Sequence, residues 1–87
     1  MFHLAFINGT KYFYTQPKLV LDVGIKGTLN LFDAIEKSKV KKIILASSSE
    51  IYQTPKKIPT PEEIEGSVPD VKNPRYSYGS AKLICEI

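Results

Sequence analysis

Tyr78 and Lys82 stand four residues apart in a chain of 87 residues. On a helix that spacing puts both side chains on one face, with about 5–6 Å between Cβ atoms. A free phenol ionises near pH ~10 and is a poor base at neutrality, but an ammonium beside it favours the phenolate. Such a pair can carry a proton to or from a hydroxyl group. Ser47, Ser48 and Ser49 follow an apolar run earlier in the chain. Serines at the C-terminal end of a buried parallel strand lie where α/β proteins hold ligands, and they can hydrogen-bond a substrate hydroxyl or carbonyl. Glu50 comes next. It reads equally as an acid/base group and as a hydrogen-bonded carboxylate at the strand end.

These groups need elements to position them. Phe2 to Ile7 is a short apolar run closed by the turn signal Asn8-Gly9-Thr10, and is expected as a buried parallel strand. From Thr15 or Pro17 to Lys39 the period changes. Leu19, Val20, Val23, Leu29, Phe32 and Ile35 recur at three- and four-residue intervals, which predicts an amphipathic helix with Pro17 near its start. Gly24 and Gly27 interrupt it, and read either as wear in the helix or as places where a backbone or ligand approaches closely. Val40 to Ala46 is the second strand and leads directly into the serines. Five prolines in residues 53–75 predict a loop, with room for one helical turn at Pro61–Ile64. From Tyr76 onward the pattern is helical.

Strand, helix, strand, loop and helix imply an α/β fold. The expected architecture is an incomplete Rossmann-like, doubly wound parallel sheet with two strands and two helices. Sheets usually hold about four to six strands, so the chain is expected to be part of a larger domain.

Composition narrows the function classes. Hydrophobic residues make up 43% and charged residues 24%, a globular balance, and five Gly and six Pro exclude collagen-like and coiled-coil readings. The single Cys85 cannot form an internal disulfide and points to a reducing compartment. Twelve basic and nine acidic residues are scattered, so no nucleic-acid face is expected. No apolar run reaches the roughly 20 residues of a membrane span. No His/Cys cluster supports a metal.

Four ordered segments resemble one family. His3-Leu4-Ala5, Gly27-Thr28-Leu29-Asn30-Leu31, Ala46-Ser47-Ser48-Ser49-Glu50-Ile51-Tyr52 and Tyr78-Gly79-Ser80-Ala81-Lys82 are similar to motifs of the NAD-dependent epimerase/dehydratases, extended short-chain dehydrogenase/reductases acting on nucleotide sugars. The resemblance implies that residues 1–87 are part of an NAD(P)-binding Rossmann-like domain of a cytoplasmic homodimer. It implies NAD as cofactor, with NADP not excluded, and a nucleotide sugar as substrate, processed by transient hydride transfer. Counting four residues back from Tyr52 selects Ser48 as the catalytic serine, with Ser49 the fallback and Ser47 structural. Ser48 and Tyr78 would share the substrate hydroxyl, and Lys82 would hold the nicotinamide ribose. Leu4, Ala5 and Phe6, with Tyr78 and Lys82, would line the cofactor.

The sequence also departs from the family pattern. Gln53 follows Tyr52 where the family has Gly, and Gly24 stands where the family often has Asn. Ser49-Glu50 replaces the Asp-Glu pair of dehydratases, which favours epimerisation, decarboxylation or plain oxidoreduction. The Gly-rich first βαβ unit and the C-terminal substrate domain are not in the 87 residues, so this chain alone is expected to be inactive. A reductase of a non-sugar carbonyl and a non-catalytic remnant or interaction module are the alternative readings. His3 is expected as a hydrogen-bonding residue, Cys85 as buried and inert, and Tyr12-Phe13-Tyr14 as an aromatic loop cluster covering the sheet edge. Arg75 is expected first as a solvent-facing loop residue, with reach toward a substrate phosphate or carboxylate as the alternative.

Overall fold

In the computed structural model, which describes residues 1–87, the two predicted strands pair side by side and parallel. They are β1 (Phe2–His3) and β2 (Ile44–Leu45), with Phe2 opposite Ile44 and His3 opposite Leu45. The ladder runs from the Met1 ammonium on the Lys42 carbonyl (2.9 Å), through Ile44 N–H on the Met1 carbonyl (2.8 Å), to Ala46 N–H on the His3 carbonyl (3.1 Å). The same alternation next calls for the Ala5 N–H on the Ala46 carbonyl. That carbonyl instead accepts from the Lys82 ammonium at 2.6 Å. Both strands are shorter than the apolar runs suggested, and just beyond them a side chain meets the Ala46 carbonyl.

Between the strands lie α1 (Thr10–Thr15), α2 (Pro17–Leu21), a π-helical turn at Asp22–Lys26, and α3 (Gly27–Glu36). Pro17 takes the first helical position of α2, where its missing N–H costs nothing. The expected helix is present as α2 and α3 joined by the π turn. Its buried line differs from the apolar pattern. Val20, Gly24 and Thr28 are buried, four apart, whereas Leu19, Val23, Leu29 and Phe32 are exposed. Widening the turn around Gly24 spaces the inward positions by four. The aromatic cluster also differs from expectation. Tyr12, Phe13 and Tyr14 lie in α1, and Phe13 is turned into the core.

Residues 53–75 form the expected extended loop, with a turn closed by Ile64 N–H on the Pro61 carbonyl at 3.3 Å. A short 3-10 turn at Ser49–Ile51 precedes it, and another at Pro74–Tyr76 closes its end. The final helix, α4, spans Ser77–Glu86. The core is small. Phe13, Val20 and Tyr78 form its centre, and Phe6 and Ile7 pack against it.

Candidate functional site

Tyr78 and Lys82 both lie in α4, and both are buried, at 8% and 4% exposure. Helical spacing sets them on one face, and the core fixes them there. The Tyr78 ring stacks on Phe13 with centroids 4.8 Å apart and meets the edge of Phe6 at 5.4 Å. The Lys82 ammonium lies 5.8 Å from the centre of the Tyr78 ring and 4.0 Å from that of Phe6. Its hydrogen bond to the Ala46 carbonyl ties α4 to the end of β2. Burial holds the Lys82 pKa below the ordinary lysine value, an effect that nearby Cys85 partly opposes.

Ser48 caps the 3-10 turn after β2. Its backbone is extended, and its Oγ accepts from the Glu50 N–H at 3.2 Å, leaving the hydroxyl proton available. Ser47 donates to Glu86 in the last turn of α4, and Ser49 begins the 3-10 turn. A cavity of about 570 Å³ is lined by all three serines with Tyr52, Thr60 and Glu86 among others. Tyr78 and Lys82 do not line it.

Glu50 faces Arg75. The guanidinium donates to both carboxylate oxygens, at 3.0 and 3.1 Å, in a bidentate pair that is about three-tenths exposed. The pair raises the Arg75 pKa above its ordinary value, with the hydrogen bond to Glu50 the leading cause. Arg75 is thus neither simply solvated nor left free for a ligand: its partner is a carboxylate of this chain. Sequence reading missed the pairing because 25 residues separate the partners. The only local signal is Asn73, whose side chain accepts from the Arg75 N–H at 3.0 Å and so sets the turn that aims the guanidinium.

Gln53 shares a cavity of about 440 Å³ with Ser49, Glu50, Tyr52, Pro55, Thr60 and Arg75. It holds a left-handed backbone at φ 50°, the conformation for which glycine is best suited. Its Nε2 is buried without a hydrogen-bond partner, against Gly79. A Cβ on Gly79 would stand 2.9 Å from the Glu50 carbonyl oxygen, so that glycine lets α4 close onto the 3-10 turn.

The segment proposed to line a cofactor leaves the sheet after His3. Leu4 and Ala5 are exposed, and Phe6 is half-buried on Tyr78, Lys82 and Gly24. The close approach anticipated at Gly24 is therefore the Phe6 ring, while nothing lies near Gly27. His3 is the expected hydrogen-bonding residue, with Nε2 3.0 Å from Thr28 Oγ1, and Thr28 in turn donates to the Gly24 carbonyl at 2.6 Å. Cys85 is half-buried, its Sγ 3.8 Å from the same carbonyl.

Comparison with known proteins gives one consistent result. A model of the NAD dependent epimerase/dehydratase family matches residues 1–87. UDP-glucose 4-epimerase 3 of Oryza sativa subsp. japonica is 32% identical over 84 residues, covering 97% of this chain and 21% of the relative. UDP-glucuronate 4-epimerase of Thermodesulfobacterium geofontis (strain OPF15) is 37% identical over 87 residues, covering 98% of this chain and 24% of the relative. Among solved structures, a UDP-glucose 4-epimerase from Bifidobacterium longum in complex with NAD+ and UDP superposes with a TM-score of 0.83 at 34% identity, covering 98% of this chain and 24% of that one. The chain thus spans about a fifth to a quarter of the length of these relatives.

Proposed function

The chain belongs to the NAD-dependent epimerase/dehydratase family, and from that premise we propose that it supplies the proton-transfer part of an NAD-dependent nucleotide-sugar epimerase. Residues 1–87 act in this reading as part of an NAD(P)-binding, Rossmann-like domain. The observation that carries it is the buried Tyr78–Lys82 pair on one face of α4, beside the end of β2. The relatives named as UDP-sugar 4-epimerases support a uridine diphosphate sugar as the substrate class.

Tyr78 takes the proton of the substrate hydroxyl as its carbon becomes a carbonyl, and returns it when the hydroxyl is restored. Its own hydroxyl makes no hydrogen bond within the chain, so it is free to engage a ligand. Ser48, whose hydroxyl proton is uncommitted, donates to the same substrate oxygen and orients it. Lys82 stabilises the phenolate from the same helix face. Glu50, held by Arg75, keeps the 3-10 turn in register with α4.

The donor set suits a nicotinamide ribose. Lys82 has three ammonium protons, and one is used on Ala46. No carboxylate competes for the others. Lys82 would hold the ribose hydroxyls, with Leu4, Ala5 and Phe6 alongside. When bound, NAD supplies the acceptor for transient hydride transfer from the sugar carbon.

Interconversion of UDP-glucose and UDP-galactose by the full polypeptide, followed by proton NMR of the anomeric signals, tests this reading. Tyr78→Phe keeps the ring's packing and removes the proton carrier, so turnover should fall by about 10²–10⁴-fold. Turnover near wild type in that variant would refute the assignment.

A further inference from the structure

The Phe6 ring occupies the open side of Lys82. Its centre is 4.0 Å from the ammonium nitrogen, within the range of a cation–π contact. The same ring meets Tyr78 edge-on, at 86° between planes. Its far end rests on Gly24, where a Cβ would overlap it. One ring therefore covers both members of the proton-transfer pair, and it leaves Lys82 only 4% exposed. Backbone constraint on this cover is slight. Phe6 lies after β1 and before α1, and no backbone–backbone hydrogen bond pins Leu4 to Asn8. Segments held by few hydrogen bonds open at low free-energy cost.

We propose that Phe6 gates Lys82 and thereby sets how tightly this chain holds a ribose-bearing cofactor. The proposal rests on the reading of Lys82 as a ribose-binding group. The ring swings off Lys82 and Gly24, the ammonium becomes accessible, and a ribose diol takes the place of the π face. Only the open fraction of molecules is competent, so apparent affinity falls by that fraction. A residue that shortens the ring or unseats it should tighten binding without touching Lys82 or Tyr78.

Two variants act on the gate from opposite sides. Phe6→Ala removes the ring. Gly24→Ala leaves the ring intact but fills its seat, and because the overlapping atoms are the far end of a side chain, the ring can turn away. Acetylation of Lys82 by a small acylating reagent, read by peptide mass spectrometry against exposed Lys11 and Lys18, reports the gate with no cofactor present. Circular dichroism confirms that each variant is folded. Both variants should raise relative Lys82 labelling by tenfold or more, and adding NAD should then slow it. Labelling of Lys82 unchanged in whichever variants fold would overturn the gate. Labelling that rises in the variants but is indifferent to NAD would leave the gate standing and overturn the ribose reading of Lys82.

Discussion

Lys82 carries its charge into a setting where a carbonyl and an aromatic face are its nearest partners. Burial lowers its pKa, so between that lowered value and the ordinary lysine value of about 10.4 the unfolded chain binds more protons than the folded one. Stability therefore rises with pH across this window. Denaturant unfolding at a series of alkaline pH values should show that rise in the wild type, and a flatter profile in Lys82→Met. Parallel profiles would mean that the charge is solvated in the folded state. The identity of this residue was legible in the sequence, because Tyr78 and Lys82 at i and i+4 need only a helix to meet. Its surroundings were not. Nothing in the local pattern says that Phe6, 76 positions earlier, comes to rest on the ammonium.

Among the elements, the two 3-10 turns are coupled by a single ion pair. Glu50 sits in the turn after β2 and Arg75 in the turn before α4, so their bidentate contact adds to the ties that Lys82–Ala46 and Ser47–Glu86 make between the serine segment and α4. Exposed pairs are worth about 0.2–1 kcal/mol, and a bidentate, half-buried one belongs near the upper end. A double-mutant cycle with Glu50→Gln and Arg75→Gln should give a coupling free energy of about 1 kcal/mol in chemical unfolding. A value indistinguishable from zero would make the turns independent. Apart from α1 and the short 3-10 turns, element order and type were readable from the sequence, as apolar runs for the strands and helical spacing for the longer helices. The lengths were not, because tertiary partners end them. Lys82 meets the Ala46 carbonyl just beyond the last rung, and the π turn at Gly24 moves the buried line onto Val20, Gly24 and Thr28. The aromatic run was misplaced because Gly9 and Pro17 look like loop punctuation, yet they bracket one short helix.

For the whole molecule, the accessible surface is 6451 Å², against about 5200 Å² for a compact monomer of this mass. The radius of gyration is 13.9 Å, against about 12 Å for a compact chain of this length. Only 10 of the 87 residues are buried, while Phe2, Leu4, Leu29 and Ile44 expose apolar surface. A core so small leaves little to offset conformational entropy. Thermal unfolding of the 87-residue chain, followed by far-ultraviolet circular dichroism, should be broad and centred below about 45 °C, the lower edge of the usual range for domains. A sharp transition well above that temperature would show that these contacts suffice. No helix is long and apolar enough to cross a membrane.

The Ala46 carbonyl has two claimants. Lys82 holds it now, and the Ala5 N–H is the donor that the parallel register would bring to it. A carbonyl oxygen has two lone pairs, but each donor it takes weakens and crowds the other, so strand length and lysine availability are thermodynamically linked. Whatever draws the ammonium away frees an acceptor that the next amide of β1 can claim, and the neighbouring Phe6 is carried along with it. The sheet then records the state of the lysine as one additional rung. Hydrogen exchange at the Ala5 amide reads that record directly. The amide should exchange freely in the wild type and become protected in Lys82→Met, where the competitor is gone; unchanged exchange would mean that the strand ends there for reasons of its own.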